Sequence, residues 1–171
     1  MKKTIVFQTI CLLTLLPLFC GCNDTDDVTS IFTGKTWELT FITENGKHWY
    51  PFPDITDSNA YEAYDFITGD KRFTITFTGV EKENVIDGEF TASGSAILSG
   101  TWRANAKKNT FACHIKEQRV IDADDKIMAK IIDGLSRTVS YKGDNDNLFI
   151  HYPYNEKVNL RLAFHVKRKV Q

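Results

Sequence analysis

The stretch that decides the fold is residues 122–167, DADDKIMAKIIDGLSRTVSYKGDNDNLFIHYPYNEKVNLRLAFHVK. Ile127, Met128, Ile131, Ile132 and Leu135 recur at spacings of one, three and four, which puts them on one face of a helix near Asp124–Leu135. Asp122, Asp124 and Asp125 crowd its start, where a carboxylate accepts free N–H groups and meets the positive end of the helix dipole. Gly134 is expected to end the helix. The period then changes from 3.6 to 2. Val139 and Tyr141, then Leu148, Ile150 and Tyr152, then Val158, Leu160, Leu162, Phe164 and Val166 alternate with other residues. A helix therefore hands over to three antiparallel strands, turning at 142–147 and 153–157.

Working back, the same period predicts strands at Trp37–Phe41, Phe73–Phe77, Val85–Thr91 (weakened by Gly88), Ser95–Arg103 and Thr110–Lys116, with Val120 as a continuation. Trp37, Leu39 and Phe41 share one face, as do Phe111, Cys113 and Ile115. Asn45-Gly46 is a strong hairpin signal, and Gly79–Asn84 reads as a charged turn. The fold class is mainly β. An antiparallel meander of about eight strands curls into a barrel-like sheet, with one main α-helix packed against it; closure removes exposed edges. A monomer is expected.

The chain begins differently. Lys2 and Lys3 precede an apolar run from Thr4 to Phe19, a secretory signal too short and interrupted for a comfortable membrane span. Its end, Leu18-Phe19-Cys20-Gly21-Cys22, resembles the lipobox of bacterial lipoproteins, with Phe19 where Leu is usual. The resemblance implies that residues 1–21 are removed and that Cys22 is lipidated, anchoring the protein to the outer membrane of a bacterial envelope, on its periplasmic face or at the cell surface. Removing 21 of 171 residues leaves 150, enough for one domain with a real core. Residues 22–30 read as an acidic tether and 31–171 as the domain. Removing Lys2 and Lys3 leaves 19 Lys+Arg against 22 Asp+Glu, a charge of −3. Nucleic acid, which wants a basic face, is not an expected partner. The cut also takes Cys11 and Cys20, so Cys113 has no partner for an intramolecular disulfide and reads as a small buried apolar residue.

Three features together resemble the META domain of small bacterial envelope proteins: Gly34-x-x-Trp37-x-Leu39; a central strand pair around Gly94 and Gly100; and the helix running into Leu135-x-x-x-Val139-x-Tyr141, Leu148-x-Ile150 and Leu160-x-Leu162-x-Phe164. Ser93-Gly94-Ser95-Ala96 stands where that family often has Gly-Cys-Asn. The resemblance implies a barrel-like sheet with a helix against it and a non-catalytic role. The function class expected first is an envelope protein that binds a protein or glycan through its surface, without a cofactor. Gly100-Thr101-Trp102 is similar to the Gly-x-Trp of lipocalins, though it lies mid-chain. That second resemblance implies a hollow barrel carrying a small apolar ligand.

Catalytic and metal chemistry finds little support. His48, His114, His151 and His165 are scattered, and the last three fall on the polar phase of their strands. With the last hairpin centred on Asn155, His151 faces Asn159 and His165 faces Asn145, six residues or ~20 Å away. No nucleophile elbow or phosphate loop is present. Asp144-Asn145-Asp146-Asn147 lacks the terminal Glu of a calcium loop and reads as a turn.

One segment remains as a candidate binding site. His48–Phe66 holds Trp49, Tyr50, Phe52, Tyr61, Tyr64 and Phe66, while Pro51 and Pro53 keep it from being an inner strand. It serves either as a lid, whose rings plug one barrel end, or as a binding face. Trp49, Phe52 and Phe66 are costly to leave in water and suit the lid. Tyr50, Tyr61 and Tyr64, with their hydroxyls, suit a face that stacks on sugars or fills a partner's pocket.

Overall fold

The computed structural model describes residues 27–56, 58–59 and 72–167. Nine strands form one antiparallel sheet: β1 (Thr36–Glu44), β2 (Lys47–His48), β3 (Thr74–Lys82), β4 (Val85–Ser93), β5 (Ala96–Asn105), β6 (Thr110–Val120), β7 (Ser140–Gly143), β8 (Asn147–Pro153) and β9 (Asn159–Val166). They pair in the order β2-β1-β3-β4-β5-β6-β7-β8-β9, and β9 returns to β1. Eight strands thus close a ring, with β2 folded back on the end of β1. Two helices accompany them, α1 (Val28–Phe32) and α2 (Lys126–Ser136).

Turn chemistry sets the hairpins. Asn45 and Gly46 at φ 49° and 82° join β1 to β2, and Glu83 and Asn84 at φ 54° and 66° join β3 to β4. Positive φ at both central residues matches the twist of the flanking strands. The expected turn at Gly79–Asn84 is therefore only two residues long. β4 is continuous through Gly88, which pairs with Gly79. A Cβ at Gly88 would fall 1.9 Å from the Thr78 carbonyl oxygen. The two glycines leave room for the Trp102 indole, whose Nε1 donates to the carbonyls of Thr78 (2.9 Å) and Glu89 (3.1 Å).

Inward residues fill the ring, as expected where about eight strands leave space only for side chains. Trp37, Phe77, Phe90, Phe111, Tyr152 and Phe164 are among the largest fully buried side chains. One inward residue departs from the simple alternation. A bulge between Leu39 and Phe41 shifts the register, so Ile42 is buried and Phe41 turns outward. An extra residue in one strand reverses the phase of all that follow it.

The helices stop the two ends. Asp27 accepts from the Thr29 N–H (3.1 Å) and starts α1. Val28, Ile31 and Phe32 are buried, and Phe32 lies within 4.7–5.4 Å of the Phe77, Trp102, Phe111 and Tyr141 rings. The folded part thus begins before residue 31, and residues 28–30 are helix where the sequence suggests tether. Three apolar residues in five are too short a signal for the periodicity to register. At the other end Asp125 caps α2, accepting from Met128 N–H at 2.9 Å. Ile127, Met128, Ile131 and Leu135 are buried. Gly134 does not end α2, which runs on to Ser136. It is the place where the Tyr152 ring presses on the helix: a Cβ there would sit 2.7 Å from that ring.

The last hairpin is centred one residue further on than expected. Tyr152 faces Leu160, His151 faces Arg161 and Asn147 faces His165. The two histidines are then four residues apart along the strand, ~13 Å. The inward phase is unchanged, because a shift of two in pairing keeps every side chain on its face.

Candidate functional site

The barrel end covered by α2 also receives the chain after β2. Trp49 donates its N–H to the Ile42 carbonyl (2.9 Å) and packs against the core. Lys130 of α2, its side chain 16% exposed, has its Nζ 5.2 Å from the Trp49 ring centre and 4.5 Å from that of Tyr154. Glu44 lies 3.9 Å from the same ammonium. Lys126 sits 4.7 Å above the Phe52 ring. A cation over an aromatic face contributes ~0.5–1 kcal/mol at exposed sites, so two lysines one helical turn apart fasten residues 49–52 to α2. For Trp49 this is lid behaviour. The Phe52 ring meets Lys126 on the exterior and stays 39% exposed.

Tyr50 points another way. It is half-buried, and its hydroxyl lies 3.1 Å from His48 Nδ1. His48 in turn rests against Phe41, with ring centres 4.9 Å apart. This explains where the outward-turned Phe41 goes. Gly46, Lys47, His48, Tyr50 and Thr56 line an open hollow of about 580 Å³. It offers an imidazole, a phenol, an ammonium and a hydroxyl. That set suits a polyhydroxylated or anionic group lying on a ring. Tyr61, Tyr64 and Phe66, like Cys22, lie outside the described residues. Lys126, Lys130 and Tyr154 were not singled out from the sequence. The spacing of four between the lysines, at the rim of an apolar helix face, is the signal that could have found the first two.

The chemically reactive groups are placed quietly. Burial pushes the Cys113 thiol up to about 12, so it is protonated and a poor nucleophile at neutral pH. Asp144 accepts from the N–H groups of Asp146 (2.7 Å) and Asn147 (2.8 Å), which hold its carboxyl below the usual range. It shapes a turn, as its sequence context suggests. Lys35 Nζ closes that turn on the Asn145 carbonyl at 2.8 Å. Among the described residues no three His, Cys, Asp or Glu side chains converge as metal ligands. Among the same residues no helix is long and apolar enough to cross a membrane.

A family model described as "Domain of unknown function (DUF4847)" matches residues 23–166. The chain belongs to the DUF4847 family. A crystal structure of a DUF4847 family protein from Bacteroides vulgatus ATCC 8482 superposes with a TM-score of 0.58 at 24% identity, covering 84% of this chain and 99% of that one. The likeness shows a common fold. No curated protein matches. The family match begins five residues before Val28, so it takes in α1 as well as the barrel.

Proposed function

We propose that this DUF4847 protein is a non-catalytic, lipid-anchored protein of the bacterial envelope, META-like in architecture, that binds a protein or glycan partner with its outer surface. The observation that carries the reading is the filled barrel. Phe32, Phe77, Trp102, Phe111 and Tyr141 occupy one end of the interior, and Ile131, Leu135 and Tyr152 lie toward the other. A carrier of a small apolar ligand needs that space, so recognition falls to the exterior, and the Tyr50–His48 hollow is the part of it best furnished with polar and aromatic groups. The lipid anchor rests on Gly21-Cys22 after the apolar run. Two acyl chains or more make such attachment stable.

Fractionation of cells expressing Cys22→Ala tests the anchor. The variant is expected in the soluble fraction with its barrel intact, and retention in the membrane would refute lipidation at Cys22. Protease access on whole cells then decides the side. For the surface, a glycan array and envelope extracts are probed with the wild type and with Tyr50, Tyr61 and Tyr64 all replaced by Ala. Lost binding with an unchanged melting temperature supports the tyrosine face. A large drop in melting temperature assigns the segment to the lid.

A further inference from the structure

The ladder that closes the barrel is unfinished at one place. β6 pairs with β5 along its whole length, from Thr110 opposite Asn105 to Val120 opposite Ala96. On its other edge it pairs with β7 at one position, Thr110 with Ser140. The two bonds of that pair run from the Phe111 N–H to the Val139 carbonyl at 3.1 Å and from the Tyr141 N–H to the Asn109 carbonyl at 3.2 Å. From Ala112 to Val120 no strand takes up that edge among the described residues, and α2 lies alongside it instead. An unpaired strand edge is a template for another extended chain.

Between this edge and the helix runs an open trough of about 470 Å³. Its floor is apolar, with Val120, Ala129 and Ile132, and Val120 is 45% exposed. Among the described residues the charged ones lining it are acidic, Asp125 and Asp133 among them. Asp133 Oδ1 accepts from Arg137 Nε at 2.9 Å, but its Oδ2 is buried and has no hydrogen-bond partner. A buried acceptor left without a donor costs ~1–3 kcal/mol, which a donor arriving with a ligand would recover. A bulge puts Lys116 out of the β5 ladder, and Glu117 and Arg119 follow it. Such features discourage an edge from pairing with a copy of itself.

We propose that the trough receives an extended segment of a partner protein, apolar with a Lys or Arg, added as a strand to the β6 edge. The main chain would bond to the N–H and C=O groups of β6 that no described strand takes up. Alternate apolar side chains would lie on Val120, Ala129 and Ile132, and the cation would meet Asp133 and Asp125. This deepens the reading that the protein recognises its partner with its outer surface, and chooses protein over glycan for this site.

The test titrates the purified protein with acetylated five-residue peptides alternating Lys with Val, Ile, Leu or Phe, following amide shifts by NMR. Saturable shifts at Ala112–Val120 and Ala129–Asp133 are expected for at least one peptide. Glu in place of Lys, or N-methylation of alternate residues, should weaken binding about tenfold or more. Asp133→Asn should weaken the Lys peptide by about tenfold, the scale of one charge-assisted hydrogen bond, and leave an all-Val N-unmethylated peptide nearly unchanged. Absence of saturation in the millimolar range for the whole set, shifts confined to other strands, or indifference to both the charge and the N-methylation would overturn the proposal. The fractionation and glycan-array experiments do not depend on this trough, so its failure alone would leave the envelope-binding reading standing.

Discussion

Between β1 and β3 the ladder runs to three residue pairs, Thr36–Thr76 to Glu38–Thr74, and between β6 and β7 to one. The first seam is repaired by backbone. Thr33 bridges to Phe77, Leu39 N–H bonds the Phe73 carbonyl at 2.9 Å, and β2 with Trp49 takes the far half of β1. α1 then drives Phe32 into the ring of aromatics behind it. The second seam is covered by side chains. α2 lays Ile127, Met128, Ile131 and Leu135 over the gap but offers β6 no strand. A helix satisfies its own backbone and cannot complete a ladder. A seam closed by backbone is sealed, whereas the seam closed by a helix face keeps, among the described residues, an edge that no strand takes up and a trough beside it.

The comparison breaks most completely at Ile131. It is 0% exposed at the centre of the second repair, and Ile131→Asp puts an unpaired carboxylate there. Such a charge costs several kcal/mol even after relaxation. The expected outcome is loss of the cooperative thermal transition followed by circular dichroism. A variant as stable as the wild type would show that α2 does not hold the seam.

Phe32→Ala tests the first repair. Emptying a buried Phe costs ~3–5 kcal/mol, which in a domain of this size lowers the melting temperature by roughly 10–15 °C. An effect under about 1 kcal/mol would mean that α1 is not part of the barrel's closure.

What could be read from the sequence follows the same division. The strands and α2 were legible because each repeats its period over many residues, as in Leu160-x-Leu162-x-Phe164 or Ile127-x-x-x-Ile131-x-x-x-Leu135. α1 was not, since five residues hold little more than one turn. The bulge at Thr40 was hidden because nothing in Leu39-Thr40-Phe41-Ile42 says which of two adjacent apolar residues faces in. Closure decides it, through the match of Leu39 to Phe164 and Phe41 to Ala163. The hairpin register was missed by two residues because Pro153–Lys157 is expected to turn at its middle, and Asn155 instead bonds the N–H groups of Lys157 and Val158, moving the turn onward. The Tyr50 hollow was half legible: the tyrosine could be named, but its partner His48 depends on Phe41 having turned out.

Gly134→Ala separates two roles for one residue. In a plain helix interior the change gains ~1 kcal/mol. Against the Tyr152 ring, which is 1% exposed and cannot swing away, added bulk costs ~1–3 kcal/mol. A net destabilisation of about 1 kcal/mol is expected in urea unfolding. A gain would show that the helix is free to slide from β8, and the second seam would then be looser than its packing indicates.

The smallest expected effect sharpens the comparison by pH. His151 faces Ser140 across the β7–β8 ladder, and its carbonyl takes the Val139 N–H at 3.0 Å, so it stands behind the short pairing of β7 to β6. Burial first, then Arg161 and Lys142, lowers its pKa below the ordinary 6.5. The unfolded chain therefore binds this proton before the folded one does. The contribution to stability is whole above pH 6.5 and shrinks as pH falls from there toward the lowered folded value. His151→Gln should remove that slope. The difference between wild-type and variant urea midpoints is expected to move against the wild type from pH 7.5 to pH 5.5, with carboxylate effects common to both cancelling. Amide exchange, corrected for the chemical rate, should also accelerate at Val139 in the second seam more than at Leu39 in the first. Equal acceleration at both amides, or a slope of opposite sign, would mean that His151 does not report on the seam and that the two repairs respond to acid as one unit.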